Sequence, residues 1–158
     1  MSDASDYEAV SPVTGGVSVS GFLPAFPPRV DAVLCLCLPS EMKWARDHGY
    51  PDPLASDLAD FAWRPIPDDY RVAPDTDWLD ATTALVEAWR RAGRRVLIHC
   101  AAGVSRSPTV TAAYLMRKYR WSAADAMAHV RVSRPVVKPN RGLLKLLDHY
   151  EASLRPAP

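Results

Sequence analysis

The sequence has no excess of either charge. Its 158 residues include 19 lysines and arginines and 18 aspartates and glutamates, which gives a formal net charge of +1. Proteins that hold nucleic acid through its phosphates usually carry a marked basic excess, so we expect no nucleic-acid partner. No apolar run approaches the roughly 20 residues that span a bilayer, so we expect no membrane partner either. Any attraction for an anionic substrate must therefore come from a local site.

Cysteine is scarce, with three residues at positions 35, 37 and 100. An odd count, with two of the three separated by a single residue, excludes the disulfide framework of a small secreted protein. Residues 1–19 include acidic side chains and have no basic n-region, which argues against a secretory signal. These features predict a reducing, cytoplasmic location.

The length and the proline content bear on domain organisation. A chain of this length suits one domain with a single core. We predict one domain over residues 1–158, with about residues 1–9 and 155–158 frayed. The 15 prolines concentrate in the first half and at the C-terminus, which predicts ordered loops at 24–28 and 51–60.

Apolar runs of strand length alternate with helical patterns along the chain. The predicted strands are an edge strand at Val17–Ser20 after a Gly15-Gly16 turn, a doubly buried strand at Ala32–Leu38, and strands at Phe61–Ile66 and Arg95–His99. Five helices are predicted. The first is capped by Ser40 and ends at Gly49, and the second has an apolar face from Trp78 to Trp89 and ends at Gly93. The third has Pro108 in its first turn, and the last two are capped by Ser122 and Asn140. The alternation predicts an α/β fold: a single domain with a mostly parallel central sheet flanked by helices.

Residues 99–107, which we call the phosphate loop, join a buried strand to a helix start. In an α/β sheet, ligands bind at the carboxyl ends of strands. A tight loop there directs backbone N–H groups into one hollow, and the helix N-terminus adds positive charge, which together suit a dianion. Gly103 fits a sharp turn that a side chain would obstruct. The residues between Cys100 and Arg106 are compact, which predicts phosphate binding through their backbone: Ala101, Ala102, Gly103, Val104 and Ser105.

Cys100 opens this loop and is the predicted nucleophile. Amide dipoles, a helix N-terminus and Arg106 all favour its thiolate, which attacks without a separate base. Arg106 offers a planar fork for two phosphate oxygens in the substrate and the transition state. Ser107 is placed to hydrogen-bond the sulfur when a phosphocysteine is hydrolysed. His99 is expected to order the loop backbone rather than to transfer protons.

The segment His-Cys-x-x-Gly-x-Ser-Arg-Ser-Pro-Thr resembles the signature of the protein tyrosine phosphatase superfamily, most closely its small dual-specificity branch. The similarity extends to the C-terminal half, in all from about Phe61 to Leu154, through Ala113–Met116, Arg134-Pro135, Pro139–Leu143, Leu147 and Tyr150-Glu151. The resemblance implies a cysteine-dependent hydrolase of phosphoesters with a phosphocysteine intermediate. It implies no cofactor and no metal, in agreement with the scattered positions of His48, His129 and His149.

The resemblance also implies a general acid, an Asp on a loop before the nucleophile, often after Pro-Ile-x. Pro65-Ile66-Pro67 precedes Asp68, which is the favoured candidate, because the leaving oxygen must be protonated. Asp69 is the alternative, particularly if Trp78 anchors the alignment. Asp75, Asp77 and Asp80 are expected to cap the next helix or to lie in water.

Cys37 resembles a second cysteine that some family members carry near the nucleophile. A disulfide with Cys100 would protect the thiolate from overoxidation. The alternative is a small buried hydrophobic residue. Cys35 is expected to point to the opposite face of the strand.

The leading functional hypothesis is hydrolysis of phosphotyrosine and phosphoserine or phosphothreonine in phosphorylated proteins or peptides. The alternatives are a phosphatase of phosphoinositide, phosphatidylglycerophosphate or RNA 5′-phosphate, and a non-catalytic phosphopeptide-binding module. Lipid phosphatases of this superfamily often place lysines in the loop, where this chain has Ala101, Ala102 and Val104. Solvated roles are favoured for the basic residues Arg71, Arg131, Arg134 and Lys138. The sequence leaves the oligomeric state open.

Overall fold

Five strands form one sheet in the computed structural model of the chain, which describes residues 9–23, 29–51 and 58–156. In chain order they are β1 (Ser11–Thr14), β2 (Val17–Ser20), β3 (Ala32–Cys35), β4 (Asp60–Trp63) and β5 (Val96–His99). Their spatial order is β1-β2-β5-β3-β4. The β1–β2 pair is antiparallel and all the other pairs are parallel. The strand that leads into the phosphate loop, β5, therefore lies at the centre.

Helices cover both faces of this sheet. They are α1 (Pro39–Asp47), α2 (Thr76–Arg91), α3 (Arg106–Tyr119), α4 (Ala123–Ser133) and α5 (Arg141–Leu154). Leu34 and Ile98 belong to the main core, together with buried residues of α2 to α5. Cys35 packs on the other face with Met42 of α1. The predicted α/β fold with a mostly parallel, helix-flanked sheet is confirmed.

The expected edge position of Val17–Ser20 is wrong, because β2 lies between β1 and β5. Strand β1, whose second residue is Pro12, was not predicted from the sequence. Proline has no N–H to give to a ladder and is tolerated in edge strands, and β1 occupies that edge. The predicted Gly15-Gly16 turn joins the two strands.

Several predicted boundaries shift by a few residues. The strand expected at Ala32–Leu38 ends at Cys35, and the strand expected at Phe61–Ile66 is Asp60–Trp63. Ser40 is not a cap: α1 begins at Pro39, and the Glu41 carboxylate accepts a hydrogen bond from the Leu38 N–H. The caps predicted at Ser122 and Asn140 are confirmed, since each accepts a hydrogen bond from a backbone N–H of its helix.

Parts of other predictions lie outside the described residues. These are the loop at 24–28, most of the segment 51–60, and the chain ends at 1–8 and 157–158. The single-domain span of 1–158 stays a prediction. Within the described ranges, no helix has the length and apolar character needed to cross a bilayer.

Candidate active site

The phosphate loop lies where the sequence predicts it, between the end of β5 at His99 and the start of α3 at Arg106. Its carbonyl groups are held from outside the loop. Ala101 O accepts from Phe22 N at 2.9 Å, and Val104 O accepts from Lys138 N at 2.8 Å. The Arg134 guanidinium donates to the carbonyls of Ala102 and Gly103 at 3.2 and 2.7 Å. Because these carbonyls bind groups outside the loop, the backbone N–H groups of the loop point to its concave side, where an anion can bind.

Gly103 occupies a position that only glycine fits. Its φ is +68°, and a Cβ there would lie 2.5 Å from Gly21 N and 2.6 Å from Arg134 Nη2. A left-handed φ already disfavours other residues, and the approach of the β2 end removes the remaining space. The expectation that a side chain would obstruct this turn is therefore borne out by the local geometry.

Replacing Gly103 by Ala should distort the phosphate loop. We expect kcat/KM for an aryl phosphate to fall about 10- to 100-fold, consistent with roughly 1–3 kcal/mol of local strain. Gly49→Ala is the matched control, because Gly49 also has a positive φ, +83°, but nothing within 4 Å of a new Cβ. It should lower the Tm without lowering kcat/KM. Equal losses of activity in the two variants would contradict the steric argument.

Cys100 and Ser107 form a hydrogen-bonded pair inside the loop. The Cys100 side chain is buried, and its Sγ lies 3.2 Å from Ser107 Oγ and accepts from Gly103 N at 3.3 Å. Ser107 Oγ also donates to Ser20 O at 3.2 Å. A hydroxyl has one proton, so the thiol donates to Ser107 while Ser107 donates to Ser20. Once the sulfur is a thiolate, the same hydroxyl proton can turn to it.

Arg106 is buried and held in one orientation by Glu41. Its Nη1 and Nη2 each donate to a Glu41 carboxylate oxygen at 2.7 Å, and Nη1 also donates to Ile66 O at 3.0 Å. Burial acts to lower the pKa of Arg106, but the hydrogen bonds to Glu41, together with the charges of Cys100 and Glu41, outweigh it, and the pKa is raised. Its Nε is buried without a hydrogen-bond partner among the described residues. The guanidinium is thus fixed, charged and left with a donor for an anion.

Glu41 was not singled out from the sequence. Burial acts to raise the pKa of its carboxyl, but hydrogen bonds from Arg106 and from the Leu38 N–H hold the pKa below its usual value. The residue is therefore ionised at neutral pH. Its position in the first turn of α1 makes this helix the support of the Arg106 side chain.

The two candidate acids have different surroundings. Asp69 accepts from Arg71 Nε, Nη2 and backbone N at 3.0, 2.8 and 2.9 Å. These hydrogen bonds lower the pKa of Asp69 to about 2, so it has no proton to give near neutral pH. Asp68 is exposed, and its Oδ1 accepts from Asn140 Nδ2 at 2.7 Å. This contrast favours Asp68.

Asn140 links the acid loop to the phosphate loop. Besides contacting Asp68 and capping α5, it donates its backbone N–H to Ser105 Oγ at 2.9 Å. Of these contacts, only the cap is predicted from the sequence. Asn140 thus ties the acid candidate to a residue of the loop that holds Cys100.

The solvated role favoured for Arg134 is wrong. Its side chain is 1% exposed and binds the carbonyls of two loop residues, of Ala9 and the Ser11 hydroxyl. A buried guanidinium needs such acceptors. Arg71, by contrast, is exposed, with its charge paired to Asp69.

Cys35, Cys37 and His99 are brought together behind the phosphate loop. The expectation that Cys35 points away from Cys37 is wrong: residues two apart in an extended strand share a face, and their sulfurs lie within 4.8 Å. Hydrogen bonding between the two thiols lowers the pKa of Cys35 and raises that of Cys37. His99 donates from Nδ1 to Cys100 O at 3.2 Å, which supports its expected loop-ordering role. The redox role of Cys37 stays a prediction.

Comparison with known proteins identifies the family. A model described as the dual specificity phosphatase catalytic domain matches residues 53–153. The chain belongs to this family. The resemblance read from the phosphate loop and the C-terminal segment is therefore confirmed.

Named relatives agree with this assignment of the dual-specificity phosphatase family. Protein phosphatase Slingshot homolog 3 of Mus musculus is 44% identical over 73 residues, which are 46% of this chain and 11% of the relative. Dual specificity protein phosphatase 5 of Rattus norvegicus is 34% identical over 97 residues, 61% of this chain and 25% of the relative. The crystal structure of human DUSP28 has a TM-score of 0.74 at 30% identity, covering 92% of this chain and 94% of that one. The chain thus spans a small part of the two longer relatives.

Proposed function

We propose that this dual-specificity phosphatase domain hydrolyses phosphotyrosine and phosphoserine or phosphothreonine in proteins, through a phosphocysteine intermediate. One observation carries the proposal: the buried Cys100 sulfur and the Arg106 guanidinium, whose Nε has no hydrogen-bond partner among the described residues, lie at the two ends of one loop whose carbonyls are engaged outside it. That arrangement combines a nucleophile with donors for an oxyanion. Donors fixed before the reaction stabilise developing charge without reorganisation.

In the first step, the Cys100 thiolate, whose proton has already gone to solvent, attacks phosphorus through Sγ, and the bond from phosphorus to the leaving oxygen breaks. Asp68 gives its proton to that oxygen, so an alcohol or phenol leaves instead of its anion. Arg106 and the loop amides hold the non-bridging oxygens. The protein is left with phosphocysteine and an ionised Asp68.

In the second step, a water molecule attacks the phosphocysteine. Asp68 takes a proton from the water, and the bond from sulfur to phosphorus breaks to release phosphate and a thiolate. The Ser107 hydroxyl, 3.2 Å from Cys100 Sγ, turns its proton from Ser20 O to the departing sulfur. The second step returns both catalytic groups to their starting states.

Protein substrates are favoured over lipid headgroups by the composition of the loop. Ala101, Ala102 and Val104 add no charge where a polyphosphorylated headgroup would need cations. In the sequence, no obvious aromatic-bearing loop precedes the sheet to wall off a deep phosphotyrosine slot, and the segments 24–28 and 51–60 are expected to serve that purpose only in part. We therefore expect a shallow site open to phosphotyrosine and to the shorter phosphothreonine.

A kinetic panel tests the substrate class. We expect measurable kcat/KM for phosphotyrosine and phosphothreonine peptides, with a preference below about a thousandfold, which corresponds to about 4 kcal/mol of transition-state discrimination. A phosphoinositide in vesicles and RNA 5′-triphosphate should react more slowly than either peptide. Faster hydrolysis of the lipid or the RNA would contradict the protein substrate class. No turnover of any of the four would contradict the phosphatase activity itself.

A further inference from the structure

Three soft-metal donors meet on the sheet face opposite the main core. Cys35 lies directly opposite His99 in the parallel β3–β5 register, and Cys37 follows two residues later. The two sulfurs and a ring nitrogen of His99 all lie within 4.8 Å of one another. The three side chains are 0%, 0% and 4% exposed. The β3–β5 register thus brings His99 to the two cysteines.

The tautomer of His99 leaves one nitrogen free for a ligand. A carbonyl oxygen can only accept, so the contact from Nδ1 to Cys100 O at 3.2 Å places the proton on Nδ1. Nε2 then carries the lone pair, and it is buried with no hydrogen-bond partner among the described residues. An Nδ1–H donated to a backbone carbonyl is the arrangement that fixes histidine for metal binding through Nε2.

Met42 adds a fourth soft atom. Its Sδ accepts from Cys35 Sγ at 3.4 Å. A small cavity beside the cluster is lined by Met42 and His99, together with Phe22, Tyr50 and Leu97 among others. Two thiolates, an imidazole and a thioether form a set that suits thiophilic ions and not hard ions such as Mg²⁺ or Ca²⁺.

We propose that Cys35, Cys37 and His99, supported by Met42, bind a thiophilic metal ion, and that Cu(I) fits the set best. Thioether and thiolate ligands select Cu(I). Metal–sulfur bonds of about 2.3 Å place tetrahedral ligands about 3.8 Å apart, so the donors need only contract slightly around an ion. Binding transfers the protons of the ligating thiols to solvent. The site uses neither the Cys100 sulfur nor the proposed acid, although its ligand His99 directly precedes Cys100 in the chain.

A metal titration in the Cys100→Ser background tests the site, because that variant removes the reactive thiol and keeps the cluster. Under anaerobic conditions, Cu(I) is offered in competition with the chromophoric chelator bicinchoninate. We expect one equivalent to bind, with sulfur and nitrogen ligands in its X-ray absorption spectrum. Adding Cys35→Ala should weaken binding at least about 100-fold. Failure of Cys100→Ser to bind Cu(I), or undiminished binding after Cys35→Ala, would overturn the proposal.

A further variant identifies the ion, and a stability measurement shows whether each variant is folded. Met42→Leu conserves volume and removes the thioether, so it should weaken Cu(I) binding and leave Zn²⁺ binding unchanged. Tighter binding of Zn²⁺ than of Cu(I) would overturn the choice of ion. The Tm of each metal-free variant is measured first. If Cys35→Ala fails to fold, Cys37→Ala replaces it, with the same loss of Cu(I) binding expected and the same undiminished binding counting against the site.

Discussion

Replacing Cys100 by Ser should abolish turnover of an aryl phosphate, with a fall in kcat on the order of 10⁴-fold or more. A serine hydroxyl is not ionised near neutral pH, and the side chain that contacts position 100 is no base: Ser107 is itself a hydroxyl, and the Ser107 proton is donated to Ser20 O. The replacement changes one atom in a buried site, so the loop and Arg106 should keep their positions.

Phosphate binding is the control for this variant. Inorganic phosphate should raise the Tm of Cys100→Ser about as much as that of the parent, because the Arg106 donor and the loop amides remain. Loss of turnover together with retained binding assigns the thiolate to the chemical step. Full activity in Cys100→Ser would contradict the whole mechanism.

The phosphate loop could be predicted because its parts are contiguous in sequence. A buried run ending at His99, a compact loop with Gly103, and a helix starting near Ser107 are all encoded within one short segment. Local patterns determine local geometry, and here the function depends on that geometry. The same holds for the helices whose caps were predicted correctly.

The supports of the loop could not be predicted, because they come from distant segments. Glu41 precedes Arg106 by 65 positions, and Arg134 follows Gly103 by 31. Hydrophobic periodicity places a residue on a face but does not say which residue it will meet. Charged side chains such as Arg134 are usually exposed, and nothing local signalled its burial. Asn140 was found only as a cap, since capping is its only local role.

The cysteines of β3 show a different limit. Alternation along a strand places Cys35 and Cys37 on one face, so the shared face of the two cysteines is encoded in the sequence. His99 lies beside the two cysteines only because β3 pairs with β5. Neither strand's sequence says which strand it will pair with, so this cluster could not be predicted. Strand order also explains the wrong edge position of β2. Without β1, which was not predicted, β2 would have been the last strand of the sheet.

Asp68→Asn should lower kcat about 100-fold or more for substrates with poor leaving groups, since general acid catalysis is commonly worth 10²–10⁴-fold. Asparagine has the shape of aspartate, and its Oδ1 can still accept the hydrogen bond from Asn140. Its amide has no acidic proton to give to the leaving oxygen. A general acid acts in its protonated form, so activity that depends on one falls with rising pH on the basic limb of the pH profile. That basic limb of the pH profile should flatten in Asp68→Asn.

Asp69→Asn is the matched control, and it should change kcat little. The hydrogen bonds from Arg71 hold the pKa of Asp69 at about 2, so an enzyme that used Asp69 as its acid would lose activity as the pH rose through about 2. An aryl phosphate with a very acidic leaving group needs little protonation and should be far less sensitive to Asp68→Asn. The reverse ranking of the two variants, with the leaving-group dependence following Asp69, would transfer the role to Asp69 and require Arg71 to release it when substrate binds.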